Sequence, residues 1–208
     1  MPSIAQIIDA IKALASSKAA GIGGIPAEFF KAACLLHALI HGAWDNENFP
    51  SEWTDGIIIK ILKKGDLREC DNWRGICVLP AVSKIIAKVI FEHITHPLIS
   101  TIDAEQAGSS CTDHITSLRI ITEQCREFRS DPHMVFIDFE KAFDSVHLDC
   151  IWEDLRSSGI PHKIIAIIKA TYNGAECCVL HKGKLSESFE MHSGDVRVAS
   201  CHLYYFFL

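Results

Sequence analysis

Apolar residues recur along this chain at two spacings, one helical and one extended. Ile4, Ile7, Ile8, Ile11 and Leu14 fall three and four positions apart, behind Ser3-Ile4-Ala5-Gln6. Ser and Gln at that separation form a capping box, so a helix is expected to start there. The helical spacing returns in Phe29, Phe30, Ala33, Leu36, His37 and Ile40, behind a proline, Pro26, suited to a first turn. It returns again in Val82, Ile85, Ile86, Val89 and Ile90, with a stop expected near Pro97. Ile115, Leu118, Ile121, Cys125 and Phe128 make a further stripe, broken at Asp131-Pro132. Leu148, Ile151, Trp152 and Leu155 lead to Gly159 as a stop, and Ile164, Ile165 and Ile168 follow Pro161.

The extended segments are shorter. Phe49 to Trp53 reads as a turn, and the β-branched run from Ile57 to Leu62 as a strand. A polar loop opening with Lys63-Lys64-Gly65-Asp66 leads through Trp73-Arg74 to a return strand, Gly75 to Leu79. Glu176 to His181 and Leu185 to Met191 flank Lys182-Gly183-Lys184 as a second hairpin, with Cys177 expected in the core and Cys178 on the surface. Met134 to Ile137 reads as a short buried strand, since Val, Ile and Phe suit a pleated surface covered on both faces. Lys18 to Gly24 reads as a flexible loop, because no Gly-Lys-Ser/Thr follows its glycines.

With 208 residues and about half of them hydrophobic, the chain can bury a core. The net charge of −6 is not that of a free-standing nucleic-acid binder, but the charge is uneven. Between Lys60 and Glu92, seven basic residues (Lys60, Lys63, Lys64, Arg68, Arg74, Lys84, Lys88) face four acidic ones (Asp66, Glu69, Asp71, Glu92), a local excess of +3. The nine cysteines are scattered with no Cys-x-x-Cys, and no leader-like segment or run of about 20 apolar residues occurs. A reducing intracellular setting, nuclear or cytoplasmic, and no membrane are the expectations. Cys34, His37 and His41 have a metal-like spacing but no fourth ligand, so a structural role is expected. No HExxH, no Gly-x-Ser-x-Gly and no Cys-x-x-Cys occurs, which leaves an aminopeptidase, protease or redox role without support.

The chemistry concentrates at one place. The apolar run ends in Asp138, and Glu140 and Asp144 follow. A carboxylate closing a buried strand needs a compensating cation or donor, and Mg²⁺ is such a cation. A plain strand-to-helix cap is the competing reading, and an Asp-x-Asp phosphatase nucleophile is weakened by Glu140. The basic ribbon tip reads either as a solvated turn or as a device to reach over a polyphosphate, with Lys as a point charge and Arg as a bidentate fork.

The stretch Phe136-Ile137-Asp138-Phe139-Glu140-Lys141-Ala142-Phe143-Asp144-Ser145-Val146 resembles the first catalytic motif of reverse transcriptases from non-LTR (LINE-type) retrotransposons. Lys63-Lys64-Gly65-Asp66 with Asn72-Trp73-Arg74-Gly75-Ile76 looks like the fingers motif of the same family, and Gly21 to Glu28 like the entry to its polymerase domain, with Gly23 where an Asp is common. The resemblance implies an α+β fold: the fingers and partial palm of a right-handed polymerase, with helices packed on a small, mostly antiparallel sheet. It divides the chain into an N-terminal helix (1–20), a fingers-like part (21–130) and a partial palm (131–208). It implies an RNA-directed DNA polymerase that uses RNA template, DNA primer, dNTP and two Mg²⁺ ions. Asp138 would be the catalytic metal ligand, with the Phe139 carbonyl a second contact. Lys63 or Lys64, and Arg74, would touch the triphosphate, and Phe143 would stand against the ribose 2′-hydroxyl.

The sequence also departs from the pattern. His93 stands where relatives usually carry Arg, and Gly108 runs directly into Ser109-Ser110-Cys111 without the usual basic piece. Gly194 to Leu203 keeps the Gly, Val, Arg, Cys and Leu of a later motif but not its Gln-Gly or Ser-Pro, and no aromatic-x-Asp-Asp occurs. The expectation is an inactive fragment; the alternative is a non-catalytic nucleic-acid-binding or protein-interaction remnant.

Overall fold

The computed structural model describes residues 1–14, 33–99, 111–137 and 147–190. Helix α1 (Ile4–Ala13) begins as the capping box requires: Gln6 N–H donates to Ser3 Oγ and Ser3 N–H to Gln6 Oε1. Ile7 and Ala10 are its buried face. Helix α2 (Ala33–Asn46) buries Leu36, Ile40, Ala43 and Trp44 at helical spacing. The expected turn at 49–53 contains a single helical turn, α3 (Ser51–Thr54), with Phe49 buried just ahead of it.

Helix α4 (Ala81–Ile99) is the spine of the helical layer. Val82, Ile85, Ile86, Val89, Ile90, Ile94 and Leu98 are all buried, and they join α1, α2, α6 (Leu148–Ser157) and α7 (His162–Tyr172) in one core. The stop expected near Pro97 falls two residues beyond it, at Ile99. A proline this close to the C-terminus removes one intrahelical bond, and Ile94 and Leu98 on either side are held by burial. Ser83 Oγ donates to the Trp53 carbonyl and ties α4 to α3. Gly159, at φ +75°, supplies the left-handed residue that ends α6, and Pro161 caps α7.

The sheet has the order β2-β1-β3-β4, from β1 (Gly56–Leu62), β2 (Trp73–Val78), β3 (Glu176–His181) and β4 (Lys184–Leu185); β5 (Phe189–Glu190) also pairs with β3. Three of its pairings are antiparallel, and β1 and β3 run parallel, Gly56 opposite Cys177 through Ile59 opposite Leu180. The sheet thus joins strands that lie more than a hundred residues apart in the sequence. Asp55 Oδ1 accepts from Glu176 N–H at 3.1 Å where the two strands begin.

The second hairpin turns on Lys182 and Gly183, both at positive φ (47° and 76°), the requirement of a two-residue type I′ turn. Its return strand is interrupted: Leu185 faces Leu180 while Phe189 faces Cys177, so the register slips by one residue in a bulge beside Ser186. Ser186 Oγ accepts from Val179 N–H at 2.9 Å there. Cys177 is buried and Cys178 half-buried, as their opposite faces require.

Helix α5 (Cys111–Glu127) forms where the stripe predicts it but buries no residue. It ends before Asp131, with Arg129 at φ 52° in the turn that follows. No helix among the described residues is long and apolar enough to cross a membrane.

Candidate functional site: the basic β-ribbon

Strand alternation decides what the ribbon presents. Ile61 pairs with Arg74 and Ile59 with Ile76, so these side chains share one face. Lys63 lies one residue beyond the ladder, with its N–H donating to Asn72 O at 2.8 Å. The alternation therefore carries Lys63 onto the face of Arg74. Lys63, Lys64 and Arg74 are all exposed. Lys60 falls on the opposite face, where its Nζ stands 4.2 Å from the centre of the Trp73 ring. The ribbon thus separates its cations: Lys60 is held over an indole, while Lys63 and Arg74 share a solvent-facing side floored by Ile59, Ile61 and Ile76.

The ten-residue connection, 63–72, is folded back onto the ribbon. Asp66 Oδ1 accepts from Arg68 N–H at 2.9 Å, an Asx turn. Asn72 Nδ2 donates to Asp66 O at 2.9 Å, and Trp73 Nε1 to Leu67 O at 3.1 Å. Gly65 takes φ +94°, and a Cβ there would come within 2.8 Å of Asn72 Nδ2, so glycine serves both the backbone angle and the close approach. A short 3₁₀ turn, Cys70–Asn72, completes the return. Sequence reading singled out the cations and missed these ties. Their signal was present, an Asp after the Gly of the turn and an Asn just ahead of the return strand, but each bond spans six residues and depends on the loop's path.

Asp138, Phe139 and Phe143 lie outside the described residues, as do Glu140, Lys141 and Asp144. The segment leading to them is described and differs from expectation. Residues 131–137 take no regular structure, and Val135, Phe136 and Ile137 are 85%, 76% and 75% exposed. A strand exists only through a neighbour that takes its N–H and C=O groups, and no described strand lies beside this run. Ile115, Leu118 and Ile121 of α5, and Phe128 just beyond it, are exposed as well.

Histidines at two other places have neighbours among the described residues. His93 Nδ1 lies 2.8 Å from Val89 O, and its ring is 5.5 Å from that of Trp44, so it packs between α4 and α2. The rings of His37 and His41 stand 5.7 Å apart, and His41 pairs with Asp45 at 3.4 Å. Among the described residues no group of three His, Cys, Asp or Glu side chains is placed to hold a metal. Cys70, Cys111, Cys125, Cys150 and Cys178 are free thiols.

Comparison with known proteins bears on the ribbon directly. The family description "Reverse transcriptase (RNA-dependent DNA polymerase)" matches residues 61–196, from the end of β1 past β5. The chain is 25% identical over 183 residues to the "Transposon TX1 uncharacterized 149 kDa protein" of Xenopus laevis, covering 84% of this chain and 14% of that protein. It is 27% identical over 183 residues to the "Probable RNA-directed DNA polymerase from transposon BS" of Drosophila melanogaster, covering 82% and 19%. It is 29% identical over 119 residues to the "Retrovirus-related Pol polyprotein from type-1 retrotransposable element R2" of Popillia japonica, covering 53% and 16%. The chain therefore spans less than a fifth of the length of each of these relatives. The α+β architecture, with helices against a small, mostly antiparallel sheet, is that of partial fingers and palm. The match takes in the last two residues of β1, all of β2 and most of the helical core, and the chain belongs to the reverse transcriptase family.

Proposed function

We propose that this chain supplies the fingers (21–130) and the first part of the palm (131–208) of a retrotransposon reverse transcriptase, and that the β1–β2 ribbon receives the triphosphate of the incoming nucleotide. The observation that carries this reading is the placement of Lys63 and Arg74 on one exposed face of the ribbon, with Lys64 beside them, while Lys60 is turned away onto Trp73. Arg74 offers a planar fork to two phosphate oxygens, and Lys63 and Lys64 offer point charges. RNA template and DNA primer follow from the family as its nucleic-acid partners.

Membership in the family also implies a divalent metal. Asp138 contributes a carboxylate and Phe139 a carbonyl, hard oxygen donors of the kind Mg²⁺ takes, and both are proposed as ligands. When bound, the metal supplies charge that stabilises the attacking and leaving oxygens of phosphoryl transfer. Phe143 is proposed to exclude the ribose 2′-hydroxyl by volume. A binding role without catalysis is the second reading, and it draws on the same exposed cations of the ribbon.

Calorimetric titration of the 208-residue chain with dTTP and Mg²⁺ tests the ribbon. Arg74→Ala is expected to weaken dTTP binding by about tenfold, the scale of a lost charge-assisted hydrogen bond. Binding of thymidine, which has no phosphate, is expected to be weaker than that of dTTP in the parent and unchanged by the substitution. Equal affinity for thymidine and dTTP, or an Arg74→Ala chain that binds like the parent, overturns the assignment. A separate assay, primer extension on an RNA template by the same chain, is expected to give no product. Extended primer would show that binding alone is the wrong description of this polypeptide.

A further inference from the structure

The cations at the ribbon tip do not hang on a loose loop. Two adjacent residues, the last of the 3₁₀ turn and the first of β2, each reach back six positions. Asn72 Nδ2 holds Asp66 O at 2.9 Å, and Trp73 Nε1 holds Leu67 O at 3.1 Å. The Asp66 carbonyl also accepts from Glu69 N–H at 3.3 Å, and Lys63 N–H is bound to Asn72 O at 2.8 Å. Two successive carbonyls of the loop are thereby fixed to the strand that carries Arg74. We infer that Asn72 and Trp73 are positioning residues, a latch that holds Lys63 and Lys64 in a set relation to Arg74 so that the three cations meet one polyphosphate; this rests on the triphosphate reading of the ribbon.

The physical reason is entropic. Long cationic side chains on a mobile ten-residue connection would have to be ordered when the anion arrives, and that ordering subtracts from affinity. Tying the backbone beforehand removes the backbone share of the loss. The lysine stems stay free to adjust, and the exposure of Lys63 and Lys64 leaves their ammonium groups in water until a ligand arrives. Lys60 belongs to the latch rather than to the phosphate set, since its Nζ lies 4.2 Å from the ring centre of Trp73 and steadies the indole that makes one of the ties.

The test uses Asn72→Ala, which removes one donor, and Trp73→Phe, which keeps a smaller aromatic ring for Lys60 and removes the indole N–H. Each is measured in the 208-residue chain by calorimetric titration with dTTP and Mg²⁺ and with dTMP and Mg²⁺, by amide hydrogen exchange over residues 63–69, and by thermal unfolding. Each substitution is expected to accelerate exchange in the loop and to weaken dTTP binding by about fivefold, the scale of one ordinary hydrogen bond. Binding of dTMP, with one phosphate and no need of all three cations, is expected to change little, and the unfolding midpoint to hold. A loop that exchanges faster while dTTP binds as before overturns the latch. So does a lowered midpoint with dTTP and dTMP weakened alike, which is the signature of a structural role. Arg74→Ala, measured alongside, separates the two ideas. If it weakens dTTP binding and the latch variants do not, the latch fails and the ribbon stands; if it too has no effect, both fall.

Discussion

Replacing Trp44 by alanine is expected to lower the stability of the fold by about 3–5 kcal/mol, the range for deleting a large buried aromatic. Trp44 is 1% exposed and belongs to the core that joins α1, α2, α4, α6 and α7. Its ring lies 5.5 Å from that of His93, so deletion would also leave the half-buried imidazole facing a void. Total stabilities of domains run to only about 5–15 kcal/mol, so this one change would remove a large part of the margin. Urea unfolding followed by tryptophan fluorescence and by far-ultraviolet circular dichroism checks it. A midpoint within experimental error of the parent's would mean that the helical layer does not pack around this residue as described.

Gly56→Val is expected to destabilise the fold by roughly 1–3 kcal/mol, although valine is among the best strand formers and glycine among the worst. Gly56 is buried in β1, between β2 and β3. A Cβ at this position would collide with the sulfur of Cys77 and stand 3.1 Å from that of Cys177 and 3.6 Å from Leu79 Cδ2. Strand propensity spans only about 1 kcal/mol, and overpacking of a closed site exceeds it. Cys177 is 1% exposed and has no room to retreat, so the strain would fall on the β1–β3 pairing. The check is the denaturant midpoint of the variant against the parent. The combination Gly56→Val with Cys77→Ala is expected to recover part of the loss; a single variant as stable as the parent would refute the packing argument.

The helical layer was readable in the sequence because its information is local. The stripes of α4, α6 and α7 repeat at helical spacing, and the Ser3–Gln6 box announces the start of α1 by itself. Pro97 marks the end of α4 to within two residues, since a proline in the last turn interrupts only one bond. Met134 to Ile137 misled for a physical reason. Four consecutive apolar residues declare a preference for burial, but a strand needs a hydrogen-bonding neighbour, and no pattern inside the segment says whether one is present. The same holds for α5, whose stripe fixes the helix and not what covers it.

At the site, the cations Lys63, Lys64 and Arg74 came from the resemblance. Their common face came from the register, which sequence spacing does not give. The six-residue ties of Asn72 and Trp73 were invisible because a loop's path is set by geometry rather than by periodicity. Asp138, Phe139 and Phe143 rest on the motif that names them.

The parallel pairing of β1 with β3 has a consequence for synthesis. The amide of Glu176 and the carboxylate of Asp55, which meet where the two strands begin, are 121 positions apart. At a translation rate of roughly 5–20 residues per second, about 6 to 24 seconds separate the emergence of these two ends from the ribosome. Once β2 has followed, β1 has it on one side and, until β3 emerges, an open edge of Ile57, Ile58 and Ile59 on the other. An uncovered, β-branched edge is a template for another chain. Neighbouring nascent copies on one messenger would offer the same edge at the same moment, so the yield of folded protein should depend on ribosome spacing as well as on the stability of the finished sheet.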